Sequence, residues 1–292
     1  ALVRHVLPHV DGVVPCGTTG EFVYLNPDEQ KRVVEIVVSE VAGRVPVVAG
    51  AGAPSTQQAV QLARQAQDAG ASAVLVVTPF FLHPSDKGIY QHFYEIARAV
   101  DLPLVLYNIP QVADAYLPRT VIEDLADIPN IVALKDSSGN LTYTMEVLEL
   151  VGDRLDVVVG HDEVVLPALA GGCAGMILAS AQVFPEVWQE LYAAVQAGDL
   201  ATARALQMSV QKLARIFCRH GGGVAVKVAL NMMGVRVGNP RRPLMKQGGV
   251  LINEVAAEIR LELEKLGKVS APEINFDEPQ APLVERFADV GL

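Results

Sequence analysis

The sequence predicts a parallel α/β barrel of the (β/α)8 type, apparently lacking its first strand, with a C-terminal helical extension. Three observations lead there. Seven short apolar runs rich in Val, Ile and Leu recur up to Ala179. Each is followed by a stretch of helical period. No G-x-G-x-x-G fingerprint follows the first run, which continues as Gly17-Thr18-Thr19-Gly20-Glu21. An open dinucleotide-binding sheet is therefore the weaker reading.

The runs are residues 12–16, 46–50, 73–78, 103–108, 131–135, 156–160 and 175–179. They alternate little, as strands buried on both faces should. Asn26-Pro27 with Glu29 has the pattern of an N-cap, an N1 proline and a capping box, so a helix is expected from there to about Ala42, before Gly43. Helices are also expected over 55–69, 85–100, 118–126, 142–151 and 163–170. The opening ten residues read as a helix bent near Pro8. A barrel needs a strand before them, so the pattern counts seven strands and not eight. After Ala179 no strand is expected, and 185–197, 200–220, 224–233 and 250–266 read as helices. The expected division is a barrel over 1–198 and a C-terminal helical region over 199–292, with a tail from Val269 lying over the surface or a neighbouring subunit.

Composition sets the limits. The 292 residues are 51% hydrophobic, 19% charged and 5% aromatic, enough for a large core. A net charge of −10 argues against a nucleic-acid partner. No uncharged apolar run reaches a membrane span, and no signal-peptide pattern opens the chain. Cys16, Cys173 and Cys218 have neither zinc nor disulfide spacing, so a cytoplasmic location is expected.

Chemistry in such a barrel gathers at the carboxyl ends of the strands. Gly17, Thr18 and Thr19 offer backbone N–H groups and hydroxyls to a carboxylate, or simply make a turn. Tyr107 ends the fourth run as a proton shuttle or a core tyrosine. Lys135 is the most informative, because it ends an otherwise apolar strand. Period-two alternation puts it on one face with Ile131 and Ala133. Enclosed in a barrel interior, its charged form is disfavoured and the free amine becomes a nucleophile for a ketone. A salt bridge to Glu21 or Asp136 is the competing explanation. Together the three strand ends suggest a 2-oxo acid handled as an enamine.

These motifs resemble the dihydrodipicolinate synthase and N-acetylneuraminate lyase family of class I, pyruvate-dependent aldolases. The matching pieces are GTTGE (17–21), VTPFF (77–81), YNIP (107–110), ALKDSSGN (133–140), GHD (160–162), GGCAGMI (171–177) and VAVKVAL (224–230). The resemblance implies a barrel with a C-terminal helical domain and a homotetramer built as a dimer of dimers. It implies Lys135 as the Schiff-base residue, Tyr107 as acid/base, and Thr18 and Thr19 as carboxylate holders and proton relay. It also places Gly160 and Ile177 at the substrate. No cofactor or metal is implied.

Departures bear on the substrate. The resemblance leads one to expect an arginine at Val112, a tyrosine at Phe81 and Thr-Gly at Ala113-Asp114. Val112 and Asp114 would face the variable end of the substrate, Asp114 accepting from sugar hydroxyls or merely starting a loop. The expected activity is reversible cleavage of a 2-keto-3-deoxy sugar acid to pyruvate and an aldehyde, with Thr19 assisting Tyr107. The alternatives are dihydrodipicolinate synthesis from pyruvate and aspartate semialdehyde, a sugar-acid dehydratase, or a catalytically silent 2-oxo acid sensor. His161-Asp162 is read as lining the pocket mouth or forming a turn, and Phe80 and Phe81 as packing at a subunit interface. His5 and His9, four apart, have no evident third metal ligand.

Overall fold

The computed structural model describes residues 1–220, 222–244 and 249–269, with the backbone alone over 249–254. Its sheet has six parallel strands: β1 (Val48–Gly50), β2 (Ala73–Val77), β3 (Leu104–Asn108), β4 (Ile131–Asp136), β5 (Asp156–Val159) and β6 (Gly175–Met176). Their order in space is their order in sequence. A doubly wound sheet reverses direction at a switch point. This one does not, so right-handed crossovers stack the helices on one face and leave the other as the inner wall of a barrel segment. The helices are α1 (Leu2–Val6), α2 (Pro27–Val41), α3 (Thr56–Asp68), α4 (Asp86–Ala99), α5 (Pro110–Ala113), α6 (Arg119–Leu125), α7 (Leu141–Val151), α8 (Val165–Ala170), α9 (Pro185–Gln196), α10 (Leu200–Arg219), α11 (Gly222–Met232) and α12 (Gly249–Lys265).

Local chemistry explains the boundaries. The Asn26 side chain accepts from Glu29 N, and Glu29 returns the bond to Asn26 N, the reciprocal cap expected for α2. Ser55, Ser85, Asn140 and Asp199 cap α3, α4, α7 and α10 by a side-chain oxygen that accepts one backbone N–H, without the return bond. Every residue of β2 and β3 is buried. Each Val or Leu so enclosed contributes about 1.5–3 kcal/mol by leaving water.

Two strands differ from expectation. Residues 12–16 make a single bridge, Val13 to Val47, and not a strand. Val13 exchanges bonds with Pro46 and Val48, but Pro15 has no N–H to continue the ladder, and Cys16 turns into the left-handed region at φ 57°. β6 is two residues long, because Ala179 is already helical and leads into a tight turn at Ser180–Gln182. Among the described residues the sheet therefore runs β1 to β6 without closing into an eight-stranded ring. The opening segment bends as expected, with α1 passing into a 3-10 turn at Leu7–His9 around Pro8. No described strand follows β6, and α9 to α12 pack on one another. The expected tail beyond Val269 lies outside the described residues.

His92 on α4 carries a pH-dependent share of stability. It is 2% exposed, its Nδ1 meets Thr56 Oγ1 at 3.0 Å, and burial lowers its pKa to about 4. The unfolded chain, near 6.5, binds this proton first as pH falls. The stability is thus whole above pH 6.5 and is lost as pH falls through the window towards 4. Denaturant unfolding at pH 7 and pH 5 is expected to differ by about 2 kcal/mol more in the native chain than in His92→Leu. Equal slopes would refute this.

Candidate active site

Lys135 and Tyr107 are paired residues on the neighbouring strands β4 and β3, so their side chains leave the sheet on the same face. Lys135 Nζ lies 4.2 Å from the centre of the Tyr107 ring, over its electron-rich face. Tyr107 is 4% exposed, and its hydroxyl is 3.3 Å from Thr18 Oγ1. The Thr18 loop reaches this point because the chain turns sharply at Cys16 and crosses Gly50 at the end of β1. A Cβ on Gly50 would fall 2.0 Å from Cys16 O, so no side chain fits there.

Neither rival partner holds Lys135. Glu21 Oε1 is 2.9 Å from Lys227 Nζ on α11, and its Oε2 accepts from Arg241 N. Asp136 faces the opposite side of β4, as alternation requires. Its Oδ1 accepts from Asn108 Nδ2 at 2.8 Å and Ser138 N at 3.0 Å, and its Oδ2 from Thr144 Oγ1 at 2.6 Å and Ser138 Oγ at 3.0 Å. This buried, saturated carboxylate joins the ends of β3 and β4, which carry the tyrosine and the lysine.

Gly160 follows β5 directly against the lysine. A Cβ there would lie 2.1 Å from Ser137 Oγ and 2.6 Å from Lys135 Cε. Ser137 Oγ donates to Gly160 O at 3.0 Å, fixing the approach. Gly160→Ala is expected to push the amine aside by a fraction of an ångström or more and to lower kcat/KM about 10²-fold with the fold intact. Circular dichroism and steady-state rates check this, and unchanged rates would refute it.

The threonines separate in role. Thr18 is the one bonded to Tyr107, where the sequence suggested Thr19 as its assistant. Thr19 Oγ1 instead accepts from Gln182 Nε2 at 3.2 Å. Its own proton is left to donate elsewhere. Gln182 and Ser137 were missed by the sequence reading, because neither lies on a strand of distinctive pattern. Lys227 was likewise missed, since nothing local links it to Glu21.

Other expected site residues lie further out. Val112 is 58% exposed on α5, and Asp114 is an exposed residue at φ 57° whose Oδ2 is 3.5 Å from His83 Nε2. Ile177 is partly buried, with its N–H donating to Val159 O. Among the described residues no hydrogen bond joins these three to Lys135, Tyr107 or the threonines. Asp162 is buried in a turn and accepts from Ser180 N and Ser180 Oγ, and Trp188 Nε1 donates to the same hydroxyl at 2.8 Å. Burial raises its carboxyl above the usual range, against the hydrogen bonds from Ser180. Phe80 packs edge-on against Phe22, whereas Phe81 is 87% exposed.

An amine and a phenol on two paired strands, with two hydroxyls on the loop after Cys16, can hold a carboxylate, condense with its neighbouring ketone and move protons. Comparison with known proteins agrees in kind. Residues 2–261 match the dihydrodipicolinate synthetase family. A 4-hydroxy-tetrahydrodipicolinate synthase of Pelobacter propionicus is 42% identical over 239 residues, covering 82% of each chain. The enzyme of that name from Methanothrix thermoacetophila is 38% identical over 262 residues, 89% of this chain and 87% of its own. The crystal structure of dihydrodipicolinate synthase from Aquifex aeolicus superposes with a TM-score of 0.88 at 32% identity, covering 93% of this chain and 92% of that one. The chloride-inhibited synthase of Acinetobacter baumannii, complexed with pyruvate, gives 0.86 at 32% identity, covering 92% and 91%.

Proposed function

The chain belongs to the dihydrodipicolinate synthetase family of class I, pyruvate-dependent enzymes, and we propose that it joins pyruvate to an aldehyde, or cleaves the adduct, through an imine on Lys135. The observation that carries this is the Lys135 amine set over the Tyr107 ring, with the Tyr107 hydroxyl linked to Thr18. The Lys135 nitrogen attacks C2 of pyruvate, and the carbonyl oxygen leaves as water once protonated through Tyr107. The Tyr107 oxygen takes a C3 proton, which turns the imine into an enamine, with the iminium nitrogen taking the electron pair. The enamine carbon attacks the aldehyde, whose oxygen takes a proton from Tyr107. Thr18 passes protons between the phenol and the pocket. Thr19 donates its hydroxyl proton to the C1 carboxylate, and the Gly17–Thr19 backbone adds N–H groups. Hydrolysis of the imine frees the product and the lysine. Cleavage is the same sequence reversed.

For the aldehyde, the names of the relatives favour aspartate semialdehyde, the alternative in the sequence reading, over the sugar-acid cleavage put first there. The sugar-acid reading keeps one specific support: Val112 stands where a second carboxylate would meet an arginine. An Arg–carboxylate contact is worth about 1.5–3 kcal/mol. Val112→Arg is accordingly expected to improve kcat/KM for aspartate semialdehyde by about 10- to 100-fold, and no gain would show that another group already binds that carboxylate. Phe81 and Leu82, 87% and 75% exposed beside this rim, are where a second copy of the chain would pack.

The deciding assay supplies pyruvate with aspartate semialdehyde, or with glyceraldehyde and longer hydroxyaldehydes, and follows pyruvate consumption and product mass. Preference for the semialdehyde supports the synthase, and preference for hydroxyaldehydes supports the sugar-acid enzyme. No pyruvate consumption with any of them would overturn the proposal.

A further inference from the structure

Beside the proposed imine site, the turn after β5 and the outer length of α10 bring three metal-ligating side chains together. His161 and Glu163 flank Asp162 in the turn, and Cys218 lies in the last turn of α10. One donor atom from each lies within 4.8 Å of the other two. We propose that His161, Glu163 and Cys218 form a binding site for a borderline divalent cation such as zinc.

The arrangement is held by more than chance proximity. Gln207, Gln211, Arg215 and Cys218 are spaced by four, four and three residues, a single stripe along α10. The first three grip the turn: Gln207 Nε2 donates to Asp162 O at 3.1 Å, Gln211 Nε2 to Glu163 O at 3.3 Å, and Arg215 Nε to Glu163 Oε2 at 2.9 Å. The stripe ends on Cys218, an exposed residue whose thiol is in no disulfide. Glu163 has a second oxygen outside its bond to Arg215.

The imidazole supplies an independent sign. The Cδ2–Nε2 edge of His161 lies against the loop at Gly139, where a Cβ would fall 2.8–3.0 Å from those atoms. Its Nδ1 is buried with no hydrogen-bond partner. A buried nitrogen without a partner is costly, and a cation in reach of its lone pair removes that cost. A thiolate, an imidazole and a carboxylate form the mixed donor set that zinc and cobalt accept, three protein ligands with one position left for water. Tetrahedral bonds of about 2.0–2.3 Å place donors about 3–4 Å apart. Side-chain rotations of an ångström or so close the present spacing.

The test uses the full chain, freed of metal by a chelator, and cobalt(II) as the probe. Titration is expected to give one cobalt per chain, with visible d–d bands and a thiolate-to-cobalt charge-transfer band. Zinc is expected to displace the cobalt and bleach both. Cys218→Ser is expected to lose the charge-transfer band, while Cys173→Ser keeps it. His161→Gln and Glu163→Gln are each expected to weaken binding tenfold or more. Circular dichroism of every variant establishes that the fold is retained, and Cys218→Ser serves if a turn variant misfolds. No stoichiometric cobalt binding, or a charge-transfer band that survives Cys218→Ser, would overturn the site. Borohydride trapping of pyruvate is read separately, so failure here is distinguishable from failure of the imine mechanism.

Discussion

Lys135→Arg is expected to leave the protein folded and unable to form a covalent adduct. With pyruvate and borohydride, the native chain should gain the mass of one reduced pyruvate imine on the peptide that contains Lys135. The arginine variant should gain nothing. Arginine keeps the positive charge and much of the stem, so the contact with the Tyr107 ring can persist. It stays protonated and presents no free amine, so the electron sink is lost along with the nucleophile. Turnover should fall by about 10⁴-fold or more, the range seen when a covalent nucleophile is removed from an otherwise intact site. A trapped adduct at another lysine, or turnover within tenfold of the native enzyme, would show that the chemistry lies elsewhere.

Tyr107→Phe isolates the phenol. The ring remains under the lysine nitrogen, so packing and the cation–π contact are kept. What goes is the hydroxyl 3.3 Å from Thr18. Borohydride trapping is expected to proceed, but slowly. The kcat should drop about 10²- to 10⁴-fold, the usual contribution of a positioned acid or base, with a smaller change in KM for pyruvate. Thr18→Val should reduce kcat in the same direction and by less, because water can replace one hydroxyl in a relay more readily than it replaces the phenol. Equal rates in Tyr107→Phe and the native chain would remove Tyr107 from the proton path.

The expected helix starts at Asn26, Ser55 and Ser85 all became caps, since capping is decided within four residues of chain. The Lys135 face was readable only in part: Ala133 shares it by alternation, but the register shifts between Leu104 and Val105, which puts Ile131 on the other face. The first run makes only a bridge and the last a strand of two residues, for a different reason. A strand exists only against a neighbour, and residues 12–16 and 175–179 lie at the ends of the described sheet, where Pro15 accepts from Gly50 N but has no N–H to return, and the chain turns at Ala179. Gln182 and Lys227 were invisible because their partners, Thr19 and Glu21, lie 163 and 206 residues away.

The sequence by itself determined the βα rhythm and the caps, and it singled out the amine, phenol and hydroxyls proposed for the site, all features written within a few consecutive residues. Only the tertiary structure decided that Glu21 and Asp136 are engaged elsewhere and that Thr18, and not Thr19, meets the phenol. It also showed Gly160 pressed against the lysine stem. Those are distances between separate loops, and they are set by how the strands stack side by side.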